Sequence, residues 1–527
     1  MSTVNSPSEW DGAHFGREES AGVILGLDIG QVVFMSVGIA LAVPMVIAGG
    51  FPWGLAAAIG VVGVFGAIGL PRVGGRSIVH WVWVLATSNF RSWSGNAEYV
   101  QPMTEAQGEF RGGELVSLPI AQPVIDEQHL DKKGRIIVPK GQRFQLPGEF
   151  NELMVYTMPG GEAFIYDPSH REAIIVAQIE TEKAFELEAF EEKEDRVRAW
   201  ASAVSAIARI RGVSRVQCSD QTTIVTGSKV LEWYQYKQRT SASRSGDEID
   251  PFLNASLTDL MLQAEGRPVH EMWVAIVLSR RALSKQIHAN GRGIRGMMAT
   301  ALGVMATIEA AIPTAGVHVA RWHSPRTVAG LIRSAFDPAA SMEISERLGE
   351  AEGATVDSAG PMFASWTGEQ MSSDGALHKT FKIAEWPQEQ AALGFLDHFV
   401  FAGDFRHTVS LYFKPRDTEQ GIKDTARRKS TWQSNETIRK RLGRPPSLRH
   451  SRQIEDIERE ESELVSGHSP LRLIALITVS AATEDELEAA VGDLRNRAAA
   501  AGCSIRLMYG EQDSAFIASA LPLGRLQ

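Results

Sequence analysis

Thirteen histidines and two cysteines are the side chains best suited to metal or nucleophile chemistry, and their spacing builds neither. Cys218 and Cys503 stand far apart, outside any CxxC or Cys/His cluster, so no disulfide framework or thiolate metal site follows. His378, His398 and His407 share the C-terminal half without ligand spacing and read as structural or surface histidines. Neither an HExxH helix nor a GxSxG elbow is present. A phosphate-cradling loop of the GxxxxGK[ST] type needs a glycine followed by lysine, and no Gly-Lys pair occurs, which excludes P-loop ATPase chemistry. Gly291-Arg292-Gly293-Ile294-Arg295-Gly296 has the GxGxxG spacing ahead of a helix, but no strand runs directly into it, so a dinucleotide site lacks its context. No catalytic residue, cofactor or metal ligand is assigned.

Two short stretches have the chemistry of a docking corner. Glu385-Trp386-Pro387 ends an expected strand, and Tyr509-Gly510-Glu511-Gln512-Asp513-Ser514-Ala515-Phe516 lies near the C-terminus. Glu385, Trp386, Pro387, Glu511, Gln512 and Phe516 are the candidate partner-docking residues, against the commoner use of such residues in packing and turns. Leu521-Pro522-Leu523-Gly524 is an apolar end that looks like a place for a further domain. The charged run Ile454-Glu455-Asp456-Ile457-Glu458-Arg459-Glu460-Glu461 reads as a solvated helix face.

The 527 residues carry a formal charge of −10, with 44% hydrophobic and 22% charged residues. Phosphate contacts supply most nucleic-acid affinity, so this acidic balance argues against nucleic acid as the main ligand. A local basic patch stays open, with Arg427–Lys429 and Arg439–Arg444 as its best candidate.

The elements that must position these residues begin with an uncharged ribbon, 29–71. A helix crossing about 30 Å of hydrocarbon needs roughly 20 apolar residues, so the ribbon has room for two. Gly49-Gly50-Phe51-Pro52-Trp53-Gly54 interrupts it, predicting a transmembrane hairpin with spans near 31–48 and 53–70. Pro44 is expected to kink the first. Trp53, Trp81, Trp83, Arg72 and Arg76 are the expected membrane anchors, with 72–95 as an interfacial helix. Arginines after the second span, and none between the spans, predict a multi-pass inner-membrane protein with its head and both termini in the cytoplasm.

After a polar tail at 1–28, the hairpin and the interfacial helix, a connector at 96–145 leads to a first α+β lobe at 146–340. A linker at 341–361 precedes a second lobe at 362–527. The connector includes a turn at Asp131-Lys132-Lys133-Gly134-Arg135 and a short strand at Ile136-Ile137-Val138. Strands at 163–166, 173–179, 213–218, 272–278 and 317–322 alternate with helices at 187–211, 294–312 and 325–336. The second lobe repeats the alternation with strands at 378–386, 408–413, 471–480 and 504–509. A charged helical stretch at 417–463, broken at Gly443–Pro446, and a helix at 484–501 lie between them. The expected class is α+β, a two-lobed, duplicated ferredoxin-like head behind a membrane hairpin.

Leu146-Pro147-Gly148-Glu149, the run from Arg326 to Pro338, Glu385-Trp386-Pro387, and Arg459-Glu460 leading to Gly467-His468 carry a further signal. With the hairpin and the Tyr509-Gly510-Glu511-Gln512-Asp513 and Leu-Pro-Leu-Gly motifs, the chain resembles the actinobacterial family of conjugal-transfer-associated, type IV secretion-like membrane proteins. It looks like a two-helix membrane subunit joined to a domain similar to the N-terminal domain of the conjugation ATPase. The resemblance implies a non-catalytic inner-membrane scaffold that docks a separately encoded motor ATPase on its cytoplasmic face. It implies other secretion-complex subunits, the lipid bilayer and further copies of the chain as partners. A type VII secretion core subunit has similar membrane anatomy, and a membrane-bound transferase is the enzymatic alternative.

Overall fold

The computed structural model describes residues 29–526 apart from 74–75, 94–96, 102–107, 112–113, 118–140, 182–188, 226–230, 232–233, 235–249, 263–266, 313–315, 348, 388–390, 392, 416–417, 442–453, 456, 459–460 and 463–470. The expected tail at 1–28, the turn and strand at 131–138, the helix break at Gly443–Pro446 and the Arg459-Glu460 to Gly467-His468 motif lie outside the described residues.

Helix α1 spans Ile29–Gly49 and α2 spans Leu55–Gly69. Between them Phe51 leaves the helical region, where Pro52 cannot donate a backbone hydrogen bond. The Gln31 side chain donates to the Gly69 carbonyl at 2.6 Å, and the Phe34 and Phe65 rings lie 4.7 Å apart. Together the two helices form one apolar segment, Gly30–Gly69, long and apolar enough to cross a membrane, with only 11% of its most apolar window buried. The multi-pass expectation is therefore corrected: the described residues hold one candidate span, and the cytoplasmic placement of head and termini, which rested on two spans, falls with it. The physical reason is length. The break consumes residues 50–54 and leaves α2 with 15 residues, roughly 22 Å of helix against about 30 Å of hydrocarbon.

Strands β1 (Arg72–Val73) and β2 (Arg76–Ser77) make a tight antiparallel pair that leads into α3 (Ile78–Trp93). The head follows as a mixed α+β unit. Its strands are β3 (Glu98–Val100), β4 (Gly108–Arg111), β5 (Glu114–Ser117), β6 (Gln142–Arg143), β7 (Met154–Thr157), β8 (Ala163–Asp167) and β9 (Glu172–Thr181). They continue as β10 (Val213–Val225), β11 (Arg267–Ser279), β12 (Val317–Trp322), β13 (Phe363–Trp366) and β14 (Met371–Ser373). The last are β15 (Ala376–Glu385), β16 (Arg406–Pro415), β17 (Leu471–Ala481) and β18 (Ser504–Leu507). The helices are α4 (Phe190–Arg209), α5 (Pro251–Leu262), α6 (Ser284–Ala289), α7 (Gly293–Ala311), α8 (Pro325–Phe336) and α9 (Ala340–Glu346). Beyond them lie α10 (Asp397–Val400), α11 (Thr418–Arg441), α12 (Glu484–Ala500) and α13 (Gln512–Ala520).

One 14-stranded antiparallel sheet dominates, in the order β3-β13-β14-β15-β17-β16-β10-β11-β9-β8-β7-β6, with β12 on β9 and β18 on β15. The two expected lobes thus share a sheet, joined where Val216–Gln221 of β10 pairs with Thr408–Phe413 of β16. The sheet's two ends approach each other: the Tyr99 hydroxyl after α3 donates to the Gln145 carbonyl at 2.7 Å, and Gln101 Nε2 to that of Asp357 at 2.7 Å.

Alternation along the strands sorts the core into layers. On one face Ile175, Val274, Ile276 and Leu278 meet α4 and α7, and Ile477 and Val479 meet α12. On the other face Ile174, Val176, Ala275 and Val277 enclose α8 and α13, whose Phe336 and Phe516 rings are 5.2 Å apart. Helix α8 starts as its sequence dictates, with Ser324 accepting from the Thr327 amide at 3.2 Å and Pro325 in the first turn. Helix α12 starts on a capping box between Thr483 and Glu486.

Candidate functional site

The residues expected to do something at a surface divide sharply by burial. Trp53 is 81% exposed at the break between α1 and α2. Trp81 is half-buried, its ring 5.8 Å from that of Tyr509, so the first turns of α3 pack on the head rather than stand apart from it. Arg72, Arg76 and Trp83 lie on β1, β2 and α3. Glu385 is exposed at the end of β15, and Trp386 packs edge-on to Phe395 at 6.3 Å, with Pro387 half-buried beside it.

Gln512 and Phe516 are corrections. Both are fully buried inside this chain and offer no surface to a partner. The Gln512 side chain accepts from the Thr380 amide at 2.9 Å and donates to the carbonyls of Thr380 at 3.2 Å and Met508 at 3.0 Å. It extends the edge pairing of β15 past the end of β18, as a strand residue would. Phe516 fills the space between Phe336 and His378, 4.5 Å from the latter ring. Glu511, beside them, is half-buried.

The GxGxxG spacing serves a helix–helix corner. Gly291, Arg292 and Gly293 all take positive φ between α6 and α7. A Cβ on Gly296 would strike the Ile287 carbonyl, so the third glycine lets the two helices touch.

Among the described residues the histidines build no metal group, although the His270 ring lies 6.4 Å from that of His407 and its Nδ1 2.8 Å from Asp220. His378 bridges Ser373 Oγ and Ser480 Oγ, each at 2.8 Å, and burial pushes it down to about 3, so the ring is neutral and structural. His323, also buried, is likewise pushed down to about 3. His407 touches the Phe405 and Val400 carbonyls at 2.9 and 2.8 Å; burial lowers it and those carbonyls oppose the shift. His398 is exposed on α10. Among the described residues no group of three or more His, Cys, Asp or Glu could hold a metal ion. Burial raises Cys218 to about 12 and Cys503 to about 11, which makes both poor nucleophiles.

One polar constellation among the described residues has no local sequence pattern to announce it. It lines the seam where β10 meets β16, on the face that carries α13. The last carbonyls of a helix have no intrahelical partner and are costly when buried. Here Gln217 Nε2 donates to the carbonyls of Ala518 and Leu521, each at 3.1 Å, while Ser410 and Tyr412 donate to Ser519 and Ala518. The Gly524 amide returns a bond to Gln217 Oε1 at 2.7 Å. Burial pushes the Tyr412 phenol upward, so it acts as a donor. Arg525 pairs with the buried Asp167 at 2.5 Å and lies 5.3 Å over the Phe150 ring, and Arg215 pairs with Glu172. Arg406, held charged by Glu271 and Asp337 although burial lowers it to about 10, donates to the Ser334 carbonyl at 2.6 Å and ties β16 to α8. The apolar end Leu521–Leu523 is thus internal core.

Beside Arg525, a cavity of about 100 Å³ is lined by Glu149, Phe150, His170, Arg215 and Ser514. Small-molecule pockets run from roughly 300 Å³ upward, so this space suits a few waters rather than a substrate. The geometry defines a mixed α+β protein with a polar seam that holds its C-terminal segment, behind an exposed apolar N-terminal segment. No known family model matches the chain, and no curated protein matches it either.

Proposed function

We propose that this chain is a non-catalytic scaffold, attached to a lipid bilayer by its Gly30–Gly69 segment, that docks a separately encoded motor ATPase of a type IV secretion-like machine on its head. One observation carries the reading: an uncharged apolar segment, left almost wholly outside the protein core, precedes a head with no Gly-Lys pair to cradle phosphate. The core helix of a soluble domain would be mostly buried, and a signal peptide's apolar region is about 7–15 residues.

The reading takes α1 and α2 as a folded-back pair entering the bilayer as a single insert, supported by the contacts of Gln31 with Gly69 and Phe34 with Phe65. It takes the head as a ferredoxin-like unit present twice. In its support, β9, β10, β11 and β12 lie in the order β12-β9-β11-β10, and β15, β16, β17 and β18 in the order β18-β15-β17-β16. Each set ends in a buried helix, α8 or α13.

The test is affinity capture of the full-length chain from detergent-solubilised membranes, with bound proteins identified by mass spectrometry. The proposal expects a P-loop ATPase at stoichiometric yield and no ATP hydrolysis by the purified chain alone. Recovery of neighbouring subunits without such an ATPase, or ATP turnover by the chain itself, contradicts it.

A further inference from the structure

The Tyr509 motif and the Leu-Pro-Leu-Gly end are one continuous segment with fixed points at both ends. At its start, Met508 donates its amide to the Thr380 carbonyl at 3.0 Å and Gly510 donates to the Gly368 carbonyl at 2.7 Å. The Tyr509 ring covers Gly368, where a Cβ would stand 2.8 Å from it, and meets Trp81 of α3. Helix α3 in turn sits at the root of the apolar segment, with Val79 against Gly30. The middle is α13, in which every residue from Ser514 to Ala520 is buried. At its end, the segment is gripped by the β10–β16 seam through Gln217, Ser410 and Tyr412, and by Asp167 through Arg525.

A short helix buried on all sides resists bending and moves as a body, because close-packed interiors transmit displacement rather than absorb it. We propose that residues 508–526 form a strut that couples the position of α3, at the root of the apolar segment, to the seam between the two halves of the sheet. Displacing Trp81 from Tyr509 shifts the strut, and the shift withdraws the Ala518, Ser519 and Leu521 carbonyls from their seam donors. The inference stands apart from motor docking, since it uses only contacts within the chain.

Amide hydrogen exchange of the full-length chain, resolved to peptides, tests it. Tyr509→Ala and Trp81→Ala should each speed exchange about tenfold in peptides covering 216–221 and 408–413, and leave the α7 peptide 297–308 unchanged. Tyr509→Phe, which keeps the ring, should behave as the parent. Faster exchange confined to α3 and 505–512 would overturn the proposal, because the contact would then be local packing. Equal acceleration in α7 would overturn it too, because it would report general loosening.

Discussion

The apolar segment at one end of the chain and α13 at the other are built from similar residues and meet opposite fates. Ile47, Ile59 and Val64 of the first are 79%, 64% and 56% exposed, whereas Phe516 and Ile517 of α13 are at or below 2%. Composition alone does not separate them. What does is the supply of partners for backbone groups and side chains. Helix α13 lies where Gln217, Ser410 and Tyr412 satisfy its last carbonyls and Gln512 is held by a strand edge. The α1–α2 pair lacks such an enclosure and leaves its apolar surface for another solvent, which the proposed function identifies as lipid.

The largest expected effect comes from placing a charge on each side of this comparison. Ile517→Lys puts an unpaired ammonium in the core and should leave the head unfolded, since an unpaired buried charge costs several kcal/mol, on the scale of a domain's whole stability of about 5–15 kcal/mol. Ile59→Lys should leave the head's denaturation midpoint unchanged and weaken lipid binding instead. Circular dichroism in urea checks both, and equal loss of stability in the two variants would erase the distinction.

Acid comes next. His323 and His378 are held near 3 in the fold against about 6.5 in an unfolded chain. The unfolded state therefore takes up protons first, so their contribution is complete above about 6.5 and is lost progressively as pH falls toward 3. The denaturation midpoint should drop between pH 7 and pH 5, and less steeply in His378→Gln.

A smaller effect is expected for Gln512→Ala. It removes the side-chain bonds to Thr380 and leaves the buried Thr380 amide unpaired, while the Thr380 carbonyl keeps the Met508 amide, a loss of about 1–3 kcal/mol read from the urea midpoint. A neutral outcome would show that Gln512 does not hold the edge of β15 and that the Thr380 amide finds another partner.

Much of the head was legible because its elements carry local signals. The Ser324-Pro325 start fixes α8, and the Gly212 turn closes α4 ahead of β10. Strands such as Val317–Trp322 read directly from their apolar content. The seam was not legible. Pairing β10 with β16 joins residues about two hundred apart, and no local pattern announces such a partner. The polar residues at the seam, Gln217, Ser219 and Ser410, look like ordinary surface positions in the sequence. Helix α13 did leave a trace: Ser514-Ala515-Phe516-Ile517-Ala518-Ser519-Ala520 has no charged face, which is how a helix buried all round reads. The second membrane span failed on geometry, because the break at Phe51-Pro52 shortened α2 below the crossing length.

Flotation of the full-length chain with liposomes under carbonate wash tests the central claim most directly. The account predicts that the parent protein floats with the lipid while Ile59→Lys floats less, with the same urea midpoint in both. A natively folded parent chain left at the bottom of the gradient would contradict it.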